Sequence, residues 1–295
     1  MAGASGHVPV LLEEGLQWLQ PVDGGLYVDA TLGLGGHSRA ILEASTPGGR
    51  ILAFEWDSQA AQRARGSLAD FAQRIEIVPA SYVQLTSELA RLGIDAVDGL
   101  IADLGVSSLQ LDTPERGFSF LADAPLDMRM DTSRQMSAAG LLAALNEEQL
   151  ADLFYYYGEE RQARRIARYL IQARELEPLR TTKQLARLVA MAVPRKYHPR
   201  KVHVATKVFQ ALRIAVNGEL DNIRTLLAQA PAVLKPGGRI AIITFHSLED
   251  RLVKQAFEHS DLLRPLHKKP LEPQADEIKR NPRARSAKMR VAQRL

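Results

Sequence analysis

Short apolar runs alternate with amphipathic stretches through the first part of the chain. Leu26–Leu32 (LYVDATL), Arg50–Trp56 (RILAFEW), Ile75–Pro79 and Val97–Leu104 (VDGLIADL) read as buried strands. Between them Gly36–Ala44, Ser58 to about Phe71 and Val83–Leu92 have helical spacing, the last with Leu85, Leu89 and Leu92 on one face. Strands alternating with helices in this way predict parallel strands joined by crossover helices, hence a doubly wound α/β sheet. The pattern then breaks. From Asp112 to Val204 no strand is legible: the chain is turn-rich to Arg134, then helical at Ser137–Leu145, Glu147–Tyr157, Glu160–Glu175 and Thr182–Val193. Val204–Ala215 and Glu219–Leu234 are again helical, with Lys235-Pro236-Gly237-Gly238 as a stop. Arg239–Thr244 (RIAIIT) reads as a fifth strand and Leu248–His259 as a helix, so the alternation resumes. Leu262–Pro282 reads as loop, and Ser286–Leu295 as a last edge strand. The expected organisation is a sheet domain made of 1–112 and 205–295, interrupted by an inserted all-helical domain over 113–204.

Composition narrows the class. With 46% hydrophobic and 24% charged residues the chain is globular rather than disordered. The absence of cysteine excludes disulfides, cysteine–zinc sites and thiol nucleophiles. No run approaches the roughly 18 apolar residues a membrane helix needs. The first 25 residues lack the basic and apolar regions of a secretory leader, so a cytoplasmic protein is expected.

The sharpest local feature is Asp29-Ala-Thr31-Leu-Gly33-Leu-Gly35-Gly36-His37-Ser38, at the end of the first strand. Glycines there allow a tight turn and close approach to a ligand, and the following helix offers free N–H groups. A phosphate-binding P-loop requires Gly-Lys-Ser/Thr, which is missing. A dinucleotide G-x-G-x-x-G would place its third glycine at Ser38, so that match is incomplete. A nucleoside site of the methyltransferase kind, with an acidic residue before a looser glycine cluster, fits better; an ordinary tight turn is the bland alternative. Glu55, ending the second strand, can accept hydrogen bonds from ribose hydroxyls, which NAD and an adenosine cofactor both present.

Further motifs follow in order. They are Asp103-Leu-Gly105-Val-Ser107-Ser108-Leu-Gln110-Leu-Asp112, Glu115-Arg116-Gly117-Phe118-Ser119-Phe120 and Leu126-Asp127-Met128-Arg129-Met130-Asp131. Then come Tyr157-Gly158-Glu159-Glu160-Arg161, Phe209–Ile214, Asn217-Gly218-Glu219-Leu220 and Phe245-His246-Ser247-Leu248-Glu249-Asp250-Arg251. From about His7 to Arg294 the chain resembles the bacterial 16S ribosomal RNA cytosine-N4 methyltransferase family. That resemblance implies a Rossmann-like class I methyltransferase sheet with an inserted helical substrate domain. It also implies S-adenosylmethionine as cofactor and a cytosine in the decoding region of 16S rRNA as acceptor. Cofactor contacts are implied at Gly35, Gly36, His37, Glu55, Tyr82, Asp103 and Gln110. Glu55 stands where the family often has Asp, and Tyr82 where it often has Phe; both keep the chemistry and alter only reach.

Methyl transfer from a sulfonium is an in-line displacement whose main demand is placement. Cytosine N4 is a poor nucleophile, and a hydrogen-bond acceptor on it would localise its lone pair. Asp103 and Asp127 are the candidate acceptors, with His246 a third. For RNA, no carboxylate lies between Glu177 and Glu219, where nine cations do: Arg180, Lys183, Arg187, Arg195, Lys196, Arg200, Lys201, Lys207 and Arg213. A second acid-free run after Glu277 carries Lys279, Arg280, Arg283, Arg285, Lys288, Arg290 and Arg294. Such runs suit phosphate contacts. Arg116 and Arg129 are expected to bind phosphates flanking the base, and Lys196 and Arg200 to hold RNA further out. A flipped or single-stranded cytosine, within the small ribosomal subunit, is the expected substrate. A homodimer remains an open assembly. A non-catalytic RNA-binding factor and an NAD-dependent oxidoreductase remain as rival readings.

Overall fold

The alternating stretch builds α1 (Leu12–Leu19), β1 (Leu26–Asp29), α2 (Gly36–Ala44), β2 (Arg50–Phe54), α3 (Ser58–Ser67), β3 (Ile75–Val78), α4 (Leu85–Arg91) and β4 (Val97–Asp103). β1, β2 and β4 end one to three residues before their apolar runs do, because the chain turns out of the sheet while still buried. Burial is nearly continuous along β1, β2 and β4, as expected of parallel strands covered on both faces. After these come α5 (Ser108–Asp112), α6 (Ala138–Ala144), α7 (Glu147–Gly158), α8 (Ala163–Leu176), α9 (Thr182–Ala192), α10 (Thr206–Asn217) and α11 (Glu219–Val233). The chain closes with β5 (Leu234–Thr244), α12 (Ser247–Glu258), β6 (Leu263–Pro265), α13 (Ala275–Arg280) and β7 (Lys288–Arg294). This computed structural model describes residues 9–295. His7, where the family resemblance begins, and the start of the segment read for a leader lie outside them.

The seven strands form one sheet in the order β3-β2-β1-β4-β5-β7-β6. The first five pair in parallel, and β7 runs antiparallel to both β5 and β6. Strand order reverses between β1 and β4, and the crevice outside their carboxyl ends is where open α/β sheets bind ligands. The last strand is not an edge. β7 lies between β5 and β6, with Met289, Val291 and Ala292 buried, and the edge belongs to the three-residue β6 within the stretch expected to be loop. Lys235-Pro-Gly-Gly follows closely on the end of α11 at Val233, as expected of a helix stop, and belongs to β5. It is absorbed into the strand as an irregularity: the pairing with β4 shifts between Val97 and Gly99.

Two compact units result. The sheet unit runs to Gly105 and resumes at Leu220–Leu295; the helical unit is Val106–Glu219. The boundary therefore differs from the expected 113–204, most visibly at α10, which joins the helices. The reason is contact with the end of α7: a Cβ on Gly158 would lie 2.7 Å from the Lys207 carbonyl oxygen. Gln210 Nε2 also donates to the Tyr157 carbonyl, and Lys207 Nζ to that of Glu159. Periodicity identifies α10 as a helix but carries no information about which neighbour its apolar face meets. Among the described residues no helix is long and apolar enough to cross a membrane.

Candidate active site

The carboxyl ends of the parallel strands carry the polar residues. Asp29, ending β1, is 2% exposed; its carboxylate accepts the Thr31 N–H (3.0 Å) and the Ser38 hydroxyl (2.7 Å). Ser38, standing where a dinucleotide fingerprint has its third glycine, thus holds the carboxylate that precedes the turn. Burial pushes the Asp29 carboxyl up to about 6, against the pull of these two hydrogen bonds. Thr31 Oγ1 accepts the Asp103 N–H at 2.6 Å, stitching the turn to the tip of β4. The glycines serve packing within the protein as well as openness. Gly35 has φ +85°, and a Cβ there would lie 2.7 Å from Leu68 Cδ1; at Gly36 it would lie 2.2 Å from Pro9 Cγ.

Glu55 is one residue beyond the end of β2 and buried. Its Oε2 accepts the Gly33 N–H (2.9 Å) and its Oε1 the Asp57 N–H (2.8 Å), so one carboxylate braces two turns. Burial, with the charges of Asp57 and Asp29, pushes it up to about 7 despite those hydrogen bonds. Each oxygen still has acceptor capacity, since a carboxylate offers about four lone-pair sites. Tyr82, half-buried, opens a 3₁₀ turn (Tyr82–Gln84) after β3, at the same end of the sheet.

Asp103 ends β4. Its side chain is about a quarter exposed (26%), yet Oδ1 is buried and has no hydrogen-bond partner among the described residues. Oδ2 lies 3.9 Å from His37 Nε2, too far for a hydrogen bond. Burial first, then the charges of Asp29 and Glu249, push the Asp103 carboxyl up to about 8. A buried acceptor left open at the tip of a central strand is what a ligand-facing carboxylate looks like. His246, just past β5, begins α12: its Nδ1 accepts the Glu249 N–H at 3.4 Å. Glu249, fully buried, accepts the N–H groups of Phe245 and His246 in return. That reciprocal cap is a structural use of His246.

The remaining predicted residues lie in the helical unit. Gln110 is buried in α5 and accepts the Ser107 N–H at 3.1 Å, as part of a capping box. Asp127 and Arg129 are paired bidentately, both contacts 2.7 Å. Burial pushes the Asp127 carboxyl up, but Arg129 outweighs it and holds the group below its ordinary value. Arg129 Nη1 also donates to the carbonyls of Thr132 and Arg134. Arg116, 7% exposed, donates to the carbonyls of Arg129 and Met130. The two arginines expected on RNA phosphates therefore brace the 126–131 loop. Asn217, 1% exposed, completes the brace: it donates to the Met128 carbonyl and accepts the Met130 N–H, both at 2.8 Å. Lys196 and Arg200 are exposed, with the Lys196 ammonium 4.9 Å from the Tyr197 ring centroid.

Sequence reasoning missed Thr31, Glu249 and Asn217 as organising residues. For Glu249 a signal was available, since His246-x-x-Glu249 ahead of an apolar-periodic stretch has the spacing of a capping box. Thr31 stands in the glycine turn and Asn217 opens the Asn217-Gly218-Glu219-Leu220 motif, but the partners that set their roles are remote in the chain.

The sequence pattern of the MraW methylase family matches residues 4–295. The chain belongs to that family. A Desulfotalea psychrophila protein named ribosomal RNA small subunit methyltransferase H is 53% identical over 289 residues, covering 98% of each chain. Proteins of the same name from a Cyanothece species and Sorangium cellulosum are 52% and 51% identical. They cover 98% of this chain, and 95% and 91% of their own. A solved Clostridium thermocellum chain, named as a candidate rRNA methylase, superposes with a TM-score of 0.50 at 11% identity. The match covers 98% of this chain and 100% of that one, and shows the fold. As an MraW-family methylase the chain is a methyltransferase with a Rossmann-like sheet, and the oxidoreductase reading falls.

Proposed function

We propose that this MraW-family chain transfers the methyl group of S-adenosylmethionine to the N4 amino group of a cytosine in the decoding region of 16S rRNA. The observation that carries the reading is the set of carboxylates at the ends of β1, β2 and β4, with the Asp103 Oδ1 acceptor left open. Glu55 uses one acceptor site of each oxygen on backbone N–H groups and keeps others for two ribose hydroxyls. Gly35, Gly36 and His37 open α2 toward the ligand, and Tyr82 offers a ring for stacking on adenine. S-adenosylmethionine, when bound, supplies an electrophilic methyl group on a sulfonium.

Asp103 is the acceptor for the N4 hydrogen. Its ionised carboxylate draws the amine proton and localises the nitrogen lone pair as the nitrogen attacks. The proton passes to a group whose affinity, with a pKa near 8, is high enough to hold it. Asp127 is a poorer choice, because both its oxygens already take hydrogen bonds from Arg129. Exposed Lys196 and Arg200 contact RNA phosphates, and Arg116 and Arg129 act by shaping the 126–131 loop. The substrate is single-stranded or flipped RNA within the small ribosomal subunit, which places the protein in the cytoplasm.

The test is transfer of tritium from labelled S-adenosylmethionine to small subunits from a strain lacking the protein, followed by nucleoside analysis. Label in N4-methylcytidine is expected. Cofactor binding without label in that nucleoside would overturn the acceptor assignment, and no cofactor binding at all would favour a non-catalytic RNA-binding factor.

A further inference from the structure

We infer that the segment from α13 to the start of β7 is a second RNA surface, carried by the sheet unit itself, on which Lys279, Arg283 and Arg285 contact phosphates of a strand passing the glycine turn. The inference rests on the RNA substrate proposed above, and goes beyond it in assigning a phosphate track outside the helical unit.

Glu277, in α13, accepts the N–H of Leu11 through its carboxylate at 2.8 Å. Two residues earlier, Pro9 packs so tightly on Gly36 that a Cβ there would lie 2.2 Å from its ring. The basic segment is thereby tied, through three consecutive residues, to the start of α2, where Gly35, Gly36 and His37 stand.

Pro282–Ser286 forms a 3₁₀ turn whose Ala284 is fully buried, followed by Ala287 at 1% exposure; both belong to the core that contains Val10, Leu11 and Met289. Asn281 caps the turn by accepting the Arg283 N–H. With Ala284 turned inward, the flanking Arg283 and Arg285 are exposed. The cations therefore sit on a fixed backbone, which lowers the ordering cost of binding a strand.

Of the two acids in α13, Glu277 is committed to Leu11 and Asp276 is paired with Arg280 at 3.1 Å. Lys279 and Arg285 have no ion pair among the described residues, and no acid follows Glu277 to the end of the chain. A surface fixed and basic in this way suits an extended polyanion.

The test is binding of a fluorescein-labelled single-stranded RNA carrying the acceptor cytosine, measured from 50 to 200 mM salt. The wild type is compared with K279A/R283A/R285A and with K196A/R200A. Each phosphate contact on a single strand contributes roughly 0.7 to the slope of log affinity against log salt. The triple variant should lose about 2 from that slope and at least about tenfold in affinity, with S-adenosylmethionine binding unchanged. Lys279→Glu alone, which leaves the 3₁₀ turn intact, should also flatten the slope, by about 1. An unaltered slope in both variants, while K196A/R200A binds more weakly, would overturn the second surface and leave the RNA reading standing. A wild type that binds no RNA would remove both.

Discussion

Replacing Glu55 by glutamine removes one charge from a buried site that already carries Asp29 and Asp57. The Glu55 carboxyl is 9% exposed and has its pKa raised from 4.5 to about 7, mainly by burial. The folded protein therefore holds this proton more tightly than the unfolded chain does. Its contribution to stability is fully present below pH 4.5 and is lost as pH rises through about 7. A rise of that size corresponds to ~3 kcal/mol. Glutamine abolishes that pH dependence. It also keeps only one acceptor oxygen, so the N–H of Gly33 or of Asp57 loses its partner, a cost of about 1–3 kcal/mol at every pH. The variant should be the less stable protein at pH 5, and the gap should close or reverse by pH 8. Urea denaturation followed by tryptophan fluorescence measures this cleanly, because Trp18 and Trp56 are the only tryptophans and both lie in the sheet unit. A stability gap that stays constant from pH 5 to 8 would show that Glu55 holds no raised pKa in the folded protein. The same substitution should weaken S-adenosylmethionine binding roughly 10- to 100-fold, through loss of a charged acceptor for the ribose.

Asp103→Asn keeps the backbone bond to Thr31 and should lower methyl transfer by about 100-fold or more while cofactor affinity stays within a few-fold; wild-type turnover would refute the acceptor role. In the wild type, transfer should rise with pH through about 8 as Asp103 ionises, and a rate profile flat from pH 6 to 9 would contradict this. Asn217→Ala leaves the Met128 carbonyl and Met130 N–H without their buried partner, at about 1–3 kcal/mol per group. Thermal unfolding and limited proteolysis should show a less stable protein newly cut near 126–131; unchanged resistance would show that the loop holds without it. K196A/R200A should weaken RNA binding and its salt dependence without touching cofactor affinity, and isothermal titration of cofactor beside RNA anisotropy reads both.

Much of the fold was legible because its signals are local. Continuous apolar runs marked β1 to β5, three- and four-residue spacing marked the helices, and Asp29, Gly35, Gly36 and Glu55 announced the turn by type and order. Each of those signals depends on residues a few positions apart, and backbone geometry converts such spacing directly into a strand, a helix or a tight turn. Tertiary structure decided the partnerships. Arg116 and Arg129 read as phosphate contacts and Asp127 as an acceptor until the folded chain paired Asp127 with Arg129 and turned Arg116 onto the carbonyls of Arg129 and Met130. α10 read as part of the sheet domain until Gly158 admitted the backbone at Lys207. The open Oδ1 of Asp103 could not be seen in a sequence at all, because an acceptor is left open only relative to every group that might have reached it. A charge acquires its role from what folding places around it, and those neighbours come from segments far apart in the chain.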